Sequence, residues 1–168
     1  MDTPTVASTW EKPLNPPERI PESADVVIIG AGIVGISTAW FLVKQGINVV
    51  VCEKGLVAGE QSGRNWGWVR VQGRDSREMP MAMHAMRIWR GLAEEIGEDV
   101  GYEQGGCIFA ARTDKEFEKL SEWLDVAREY ELDTCMIERE ELRRQVPGSS
   151  IDWRGAIYTA SDGRAAVS

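Results

Sequence analysis

Apolar residues follow several different rhythms along this chain, and the changes of rhythm divide it into elements. Residues 26–29 read VVII and residues 47–52 read INVVVC, short β-branched runs with almost no polar positions. That composition predicts strands covered on both faces of a parallel sheet. Between them, residues 33–45 take helical spacing, and Gly46 stands where a C-cap glycine belongs. Strand, turn, helix and strand make one βαβ unit. A Gly-rich loop over 55–73 follows, containing EQSGRNWGWVRVQG, and long ordered loops are usually functional. Met81, Ala85, Ile88, Leu92 and Ile96 then form a stripe that predicts a helix over about 76–96. YEQGGCIFAAR predicts a strand with a glycine break, and DKEFEKLSEWLDVAREY one amphipathic helix with Phe117, Leu120, Leu124 and Ala127 on one face. A strand near 135–137, a helical turn at 139–145 and a strand near 156–159 complete an α/β pattern.

Ahead of these elements, five of the seven prolines fall within the first 21 residues. Proline fixes φ and removes an amide donor, so residues 1–23 are expected to form an extended arm before the domain, a disordered leader in preference to one anchored on the surface by Trp10. The pattern supports three segments: the arm, an N-terminal part of a dinucleotide-binding domain over 24–98, and the beginning of a second, α+β domain over 99–168.

The net charge of −8 repels nucleic acid and anionic lipid, so neither is expected as a partner. No run approaches a membrane span. The N-terminus lacks the basic start and apolar middle of a signal peptide, and the three cysteines form no CxxC or Cys/His cluster. Cytoplasm is the expected compartment, the cysteines are expected to be buried small apolar residues, and no metal site is expected. His84 is the only histidine; on a helix it reads as structural or solvated.

The candidate chemistry lies in DVVIIGAGIVGISTAW. Gly30, Gly32 and Gly35 give the G-x-G-x-x-G pattern directly after a predicted strand and at the opening of a helix. Gly30 permits the tight turn, Gly32 lets the backbone approach a pyrophosphate, and Gly35 lets helix and strand pack closely. The amides that open the helix, at Ile33 and Val34, present donors and the positive dipole end to phosphate. Glu53, followed by Lys54, ends the second strand, where a carboxylate can accept hydrogen bonds from both ribose hydroxyls. These features point to a dinucleotide without naming it.

The stretch DVVIIGAGIVGISTAWFLVKQGINVVVCEKG, followed by SGRNWGWVR, resembles the N-terminal part of FAD-dependent amine and amino-acid oxidoreductases, the family of D-amino-acid oxidases and dehydrogenases, glycine oxidase and sarcosine oxidase. The resemblance continues weakly through Gly105 to Ala110 and YTASDGR. It implies a Rossmann-like FAD-binding unit followed by the start of a substrate domain. It also implies that Ser62, Arg64, Asn65 and Gly67 line the pyrophosphate and ribityl side, that Trp66 and Trp68 wall the flavin ring or serve as core aromatics, and that Arg70 clamps a substrate carboxylate. Read from the residues alone, the loop is also compatible with a solvated polar loop, and Arg70 reads first as an ordinary surface arginine in a salt bridge. Since the loop has no histidine, the implied FAD is non-covalent.

The family reaction removes a hydride from the carbon beside an amine, and oxygen or an electron carrier takes the electrons afterwards. Relatives are longer and complete the FAD domain with later chain. The expectation is therefore an N-terminal fragment of such an oxidoreductase, inactive alone, or a chain completed by a second one. The alternative is a truncated, non-catalytic chain that binds nucleotide or a partner.

Overall fold

The computed structural model describes residues 20–166. Most of the proline-rich arm, with Trp10, lies outside the described residues. The chain divides into two compact units, one ending at Trp66 and one spanning Gly67–Ala166. No helix among the described residues is long and apolar enough to cross a membrane.

The first unit is the βαβ unit read from the sequence. Strand β1 (Val26–Ile29), helix α1 (Ile33–Val43) and strand β2 (Val49–Cys52) follow in order, and β1 pairs with β2 in parallel, with Val26 opposite Val49 and Ile29 opposite Cys52. Parallel pairing demands a crossover, and α1 supplies it. Contrary to the expectation of strands covered on both faces, Val27 and Ile29 of β1 are exposed, and no residue of α1 is buried although the helix is apolar almost all round. The reason is geometric: one helix covers one face of two strands, so alternate residues of β1 are left bare.

In the second unit, strand β3 (Trp68–Val69) leads through a 3-10 turn, Ser76–Glu78, to helix α2 (Met79–Ile96). Asp75 caps that turn by accepting the Arg77 amide, and Gly97 ends α2 at φ 80°, the left-handed conformation glycine adopts without strain. The buried face of α2 carries Met79 and Met86, packed with Ala82, Met83 and Trp89. It is not the expected Met81–Ile96 stripe, for Met81 and Ile96 are exposed. The helix is apolar on two sides, and periodicity alone could not choose between them.

Strands β4 (Tyr102–Glu103) and β5 (Cys107–Ala111) divide the single strand expected there. Gly106, at φ 78°, turns the chain between them. Helices α3 (Asp114–Glu122) and α4 (Leu124–Glu129) divide the single expected helix at Trp123. Strand β6 (Thr134–Glu138), helix α5 (Arg139–Gln145), strand β7 (Gly155–Thr159) and strand β8 (Gly163–Ala165) follow. They form two antiparallel sheets, β5-β7-β6 and β3-β8-β4. The first sheet has β7 at its centre, with Ala156 and Ile157 buried, and α5 seats Leu142 against one face. The expectation of buried cysteines fails: Cys52 and Cys135 are exposed and Cys107 is half-buried. Cys52 ends a strand at a cleft, and Cys135 lies on an edge strand, positions where one flank stays open.

Candidate functional site

Within the first unit, the glycine turn between β1 and α1 forms one wall of an open cleft of about 400 Å³, lined by Gly30, Gly32, Glu53, Lys54, Ser62 and the loop 56–61. Gly30 sits at φ 103°, a conformation L side chains rarely adopt. Gly35 packs so tightly on β1 that an added Cβ would overlap the Gly30 carbonyl oxygen and lie 3.3 Å from Ile28 Cγ2. Gly32 instead faces the cleft, where an added Cβ would come within 3.0 Å of Ser62 Oγ. The three glycines thus separate into turn, packing and access.

The carboxylate of Glu53 holds this turn. Its Oε2 accepts the Ala31 amide at 2.8 Å and its Oε1 the Gly55 amide at 2.8 Å. These amides, Ala31 first and Gly55 next, hold the Glu53 carboxyl below the ordinary 4.5, so it is charged at neutral pH. Each carboxylate oxygen has a second lone pair, which leaves acceptor capacity for ribose hydroxyls. Ser62 Oγ accepts the Ile33 amide at 2.9 Å, the kind of donor that phosphate oxygens take at a helix N-terminus. The loop is tied back by the Ala58 amide, which donates to the Ala31 carbonyl at 3.0 Å.

The expected residues do not all converge. Gly30, Gly32, Glu53, Lys54 and Ser62 meet at the cleft, Ile33 joins through Ser62, and Gly35 supports the turn from behind. Val34 lies in the first turn of α1 with its side chain exposed. Arg64 pairs with Glu60 at 3.3 Å, both exposed, and Asn65 donates to the Ser62 carbonyl. Trp66 is exposed; none of these three lines the cleft. Ala31, Gly55 and Ala58 are parts of the site that motif reasoning did not pick out. Ala58 has φ 57°, a left-handed alanine that no composition signal announces.

Gly67 and Arg70 belong to the second unit. Gly67, buried at φ 70°, accepts the Ala165 amide on its carbonyl at 2.7 Å. Arg70 is half-buried, its guanidinium 5.3 Å from the Trp68 ring and 5.0 Å from the Phe109 ring. Its Nη1 donates to the Gln72 carbonyl, while Nε is buried without a hydrogen-bond partner. Such stacking suits a planar guanidinium.

The residues at the cleft fit a dinucleotide: a glycine that a Cβ would fill, amide donors at a helix start, and an anchored carboxylate at the strand end. The FAD dependent oxidoreductase (DAO) family matches residues 25–167. One of the subunits of the opine oxidase of Rhizobium meliloti is 30% identical over 154 residues, an overlap of 84% of this chain and 41% of that protein. The structure of L-amino acid deaminase from Proteus myxofaciens in complex with anthranilate aligns with TM-score 0.81 and 35% identity, covering 87% of this chain and 34% of that one. Glycine oxidase from Bacillus cereus ATCC 14579 aligns with TM-score 0.77 and 29% identity, over 86% of this chain and 40% of its own. The chain thus spans about two fifths or less of these relatives. With the glycine turn and the family match agreeing, the chain belongs to the FAD-dependent oxidoreductases, Rossmann-type α/β proteins whose cofactor is FAD.

Proposed function

We propose that the protein carrying this chain oxidises the C–N bond of an amino acid or a secondary amine. The observation that carries the reading is the anchored glycine turn with Glu53 and Ser62 in a chain of this family. The chemistry FAD supplies when bound is acceptance of a hydride from the carbon beside the nitrogen, leaving an imine for water to hydrolyse.

The chain's own residues bind and orient. Gly30, Gly32 and the amides of Ile33 and Val34 take the pyrophosphate, and Gly35 fixes the distance between turn and helix. Glu53, kept charged by its two amides, accepts the ribose hydroxyls and disfavours a 2′-phosphate by charge; Lys54 follows it at the cleft. Ser62, Arg64, Asn65, Trp66 and Gly67 serve the pyrophosphate and ribityl side, in non-covalent attachment. Arg70 holds the substrate carboxylate, a role supported by its stacked guanidinium and its unpartnered Nε–H. No side chain need act as a nucleophile.

Residues 24–98 are assigned to the cofactor domain and 99–168 to the beginning of the substrate domain; the compact unit Gly67–Ala166 groups α2 with the latter. The exposed apolar surface of α1 favours a covering element, from later chain or from another polypeptide. The opine oxidase relative, itself named as one subunit of its enzyme, supports the second source. The test is anaerobic mixing of the flavin-loaded protein with D-, L- and N-methyl amino acids. Bleaching of the flavin absorbance by one of them is expected; no bleaching by any would overturn the reading.

A further inference from the structure

We propose that Asp162 is a positioning residue whose buried carboxylate fixes the main chain after Arg70 and so sets the guanidinium for an anionic substrate group; this rests on the reading of Arg70 as the carboxylate clamp. Asp162 is 0% exposed. Its Oδ1 accepts the Val71 amide at 2.8 Å and its Oδ2 the Gln72 amide at 3.0 Å. One carboxylate therefore holds two successive peptide units, and the Arg74 amide closes the turn on the Val71 carbonyl at 3.1 Å. The next peptide unit along, directly after the Gln72 amide that Asp162 holds, presents the Gln72 carbonyl to Arg70 Nη1. The Gln72 side chain is held separately, outside this backbone path, its Oε1 accepting the Thr159 hydroxyl at 2.8 Å. Arg70 is thus set between two rings by a backbone whose amides end on Asp162.

A buried carboxylate is costly unless charge and hydrogen bonds compensate it. Here two amides and the positive charge of Arg70 offset part of that cost. Asparagine is nearly isosteric yet accepts with one atom and donates with the other, so Asp162→Asn turns an N–H donor towards a backbone N–H. It also removes a negative charge near Arg70. Coulomb attraction alone would then strengthen anion binding, whereas loss of position would weaken it. The two roles give opposite signs.

The experiment follows the Arg70 Nε–H resonance in the 15N-labelled protein, assigned by its absence in Arg70→Lys. Wild type should show a slowly exchanging signal, and Asp162→Asn should lose at least tenfold in protection. Thr159→Val, which keeps Asp162, should leave it unchanged. Equal loss in both variants, or none in Asp162→Asn, would overturn the proposal. Titration with sarcosine as the probe should shift the signal, with a Kd about tenfold higher in Asp162→Asn; a lower Kd would make Asp162 a mere counter-charge. Absence of any shift in wild type would sink the Arg70 reading, while the protection comparison still judges Asp162.

If Asp162→Asn does not fold, acidification of wild type decides. Burial holds the Asp162 carboxyl above the ordinary 3.8, with Asp133 pushing the same way and the Val71 and Gln72 amides and Arg70 opposing. The facing Cys107 thiol, pushed to about 11, stays neutral throughout. Protection of Arg70 Nε–H should fall as Asp162 takes its proton above pH 3.8; unchanged protection down to that pH would overturn the proposal.

Discussion

Replacing Gly35 by alanine sets two effects of known size against each other. Alanine favours a helix interior over glycine by about 1 kcal/mol. The new Cβ, however, would overlap the Gly30 carbonyl oxygen and sit 3.1 Å from the Gly30 carbonyl carbon. The obstacle is backbone, not a side chain that can rotate away. Relief requires α1 to move from the turn by on the order of 1 Å, and overpacking of this kind costs about 3 kcal/mol at its upper end. The clash wins by about 2 kcal/mol, or roughly thirtyfold in an equilibrium constant. Native-state hydrogen exchange localises the effect: amides of 33–43 should exchange roughly thirtyfold faster in Gly35→Ala. Gly91→Ala is the matched control, since Gly91 lies within α2 and nothing is within 4 Å of its added Cβ. It should slow exchange in α2. If Gly35→Ala slowed exchange in α1 as well, the packing argument would be wrong.

Other residues give sharper local readouts. Ser62→Ala removes the hydroxyl assigned to the pyrophosphate side and should weaken FAD binding about tenfold, the worth of one hydrogen bond, as flavin fluorescence titration measures; tighter binding would mean that the hydroxyl only competes with phosphate for the Ile33 amide. Glu53 has a depressed folded pKa, so its contribution is present above 4.5 and is lost only as pH falls through the lower folded value. FAD affinity should therefore lack a Glu53 step between pH 7 and 5, and Glu53→Gln should bind more weakly over that whole range; a wild-type step near 6 that Glu53→Gln abolishes would contradict this. Thr113→Ala deletes the α3 cap, in which Thr113 Oγ1 accepts the Glu116 amide at 3.2 Å, and should cost about 1 kcal/mol, seen as faster exchange over 114–122. Cys52 lines the cleft and is exposed, whereas Cys135 is exposed elsewhere. FAD should protect Cys52 but not Cys135 from iodoacetamide, as peptide mass spectrometry would show.

The parts legible in the sequence are those where one residue type has one physical use. Gly30, with positive φ, and Gly35, with no room for a Cβ, follow from the motif because only glycine meets either demand. Glu53 was legible as an acid at a strand end; its grip on the Ala31 and Gly55 amides was not, since those donors carry no side-chain signature. Arg64, Asn65 and Trp66 came from family resemblance by position, and local pairing holds Arg64 to Glu60 and Asn65 to the Ser62 carbonyl. Two-residue β3 and three-residue β8 escaped notice because strands so short have no periodicity to read. Their pairing is fixed by partners far away in the chain, which local pattern does not contain.

The tie between Asp162 and Val71 reaches across 91 residues. Closing a loop of that length costs about 4 kcal/mol in chain entropy by the logarithmic rule, so it forms only when nearer contacts have already shortened the path. During synthesis the segment after β3 leaves the ribosome long before its anchor does. Arg70 thus spends that interval without the backbone support it has in the finished fold. High contact order of this kind slows folding, and the arginine setting should be among the last features of the second unit to mature.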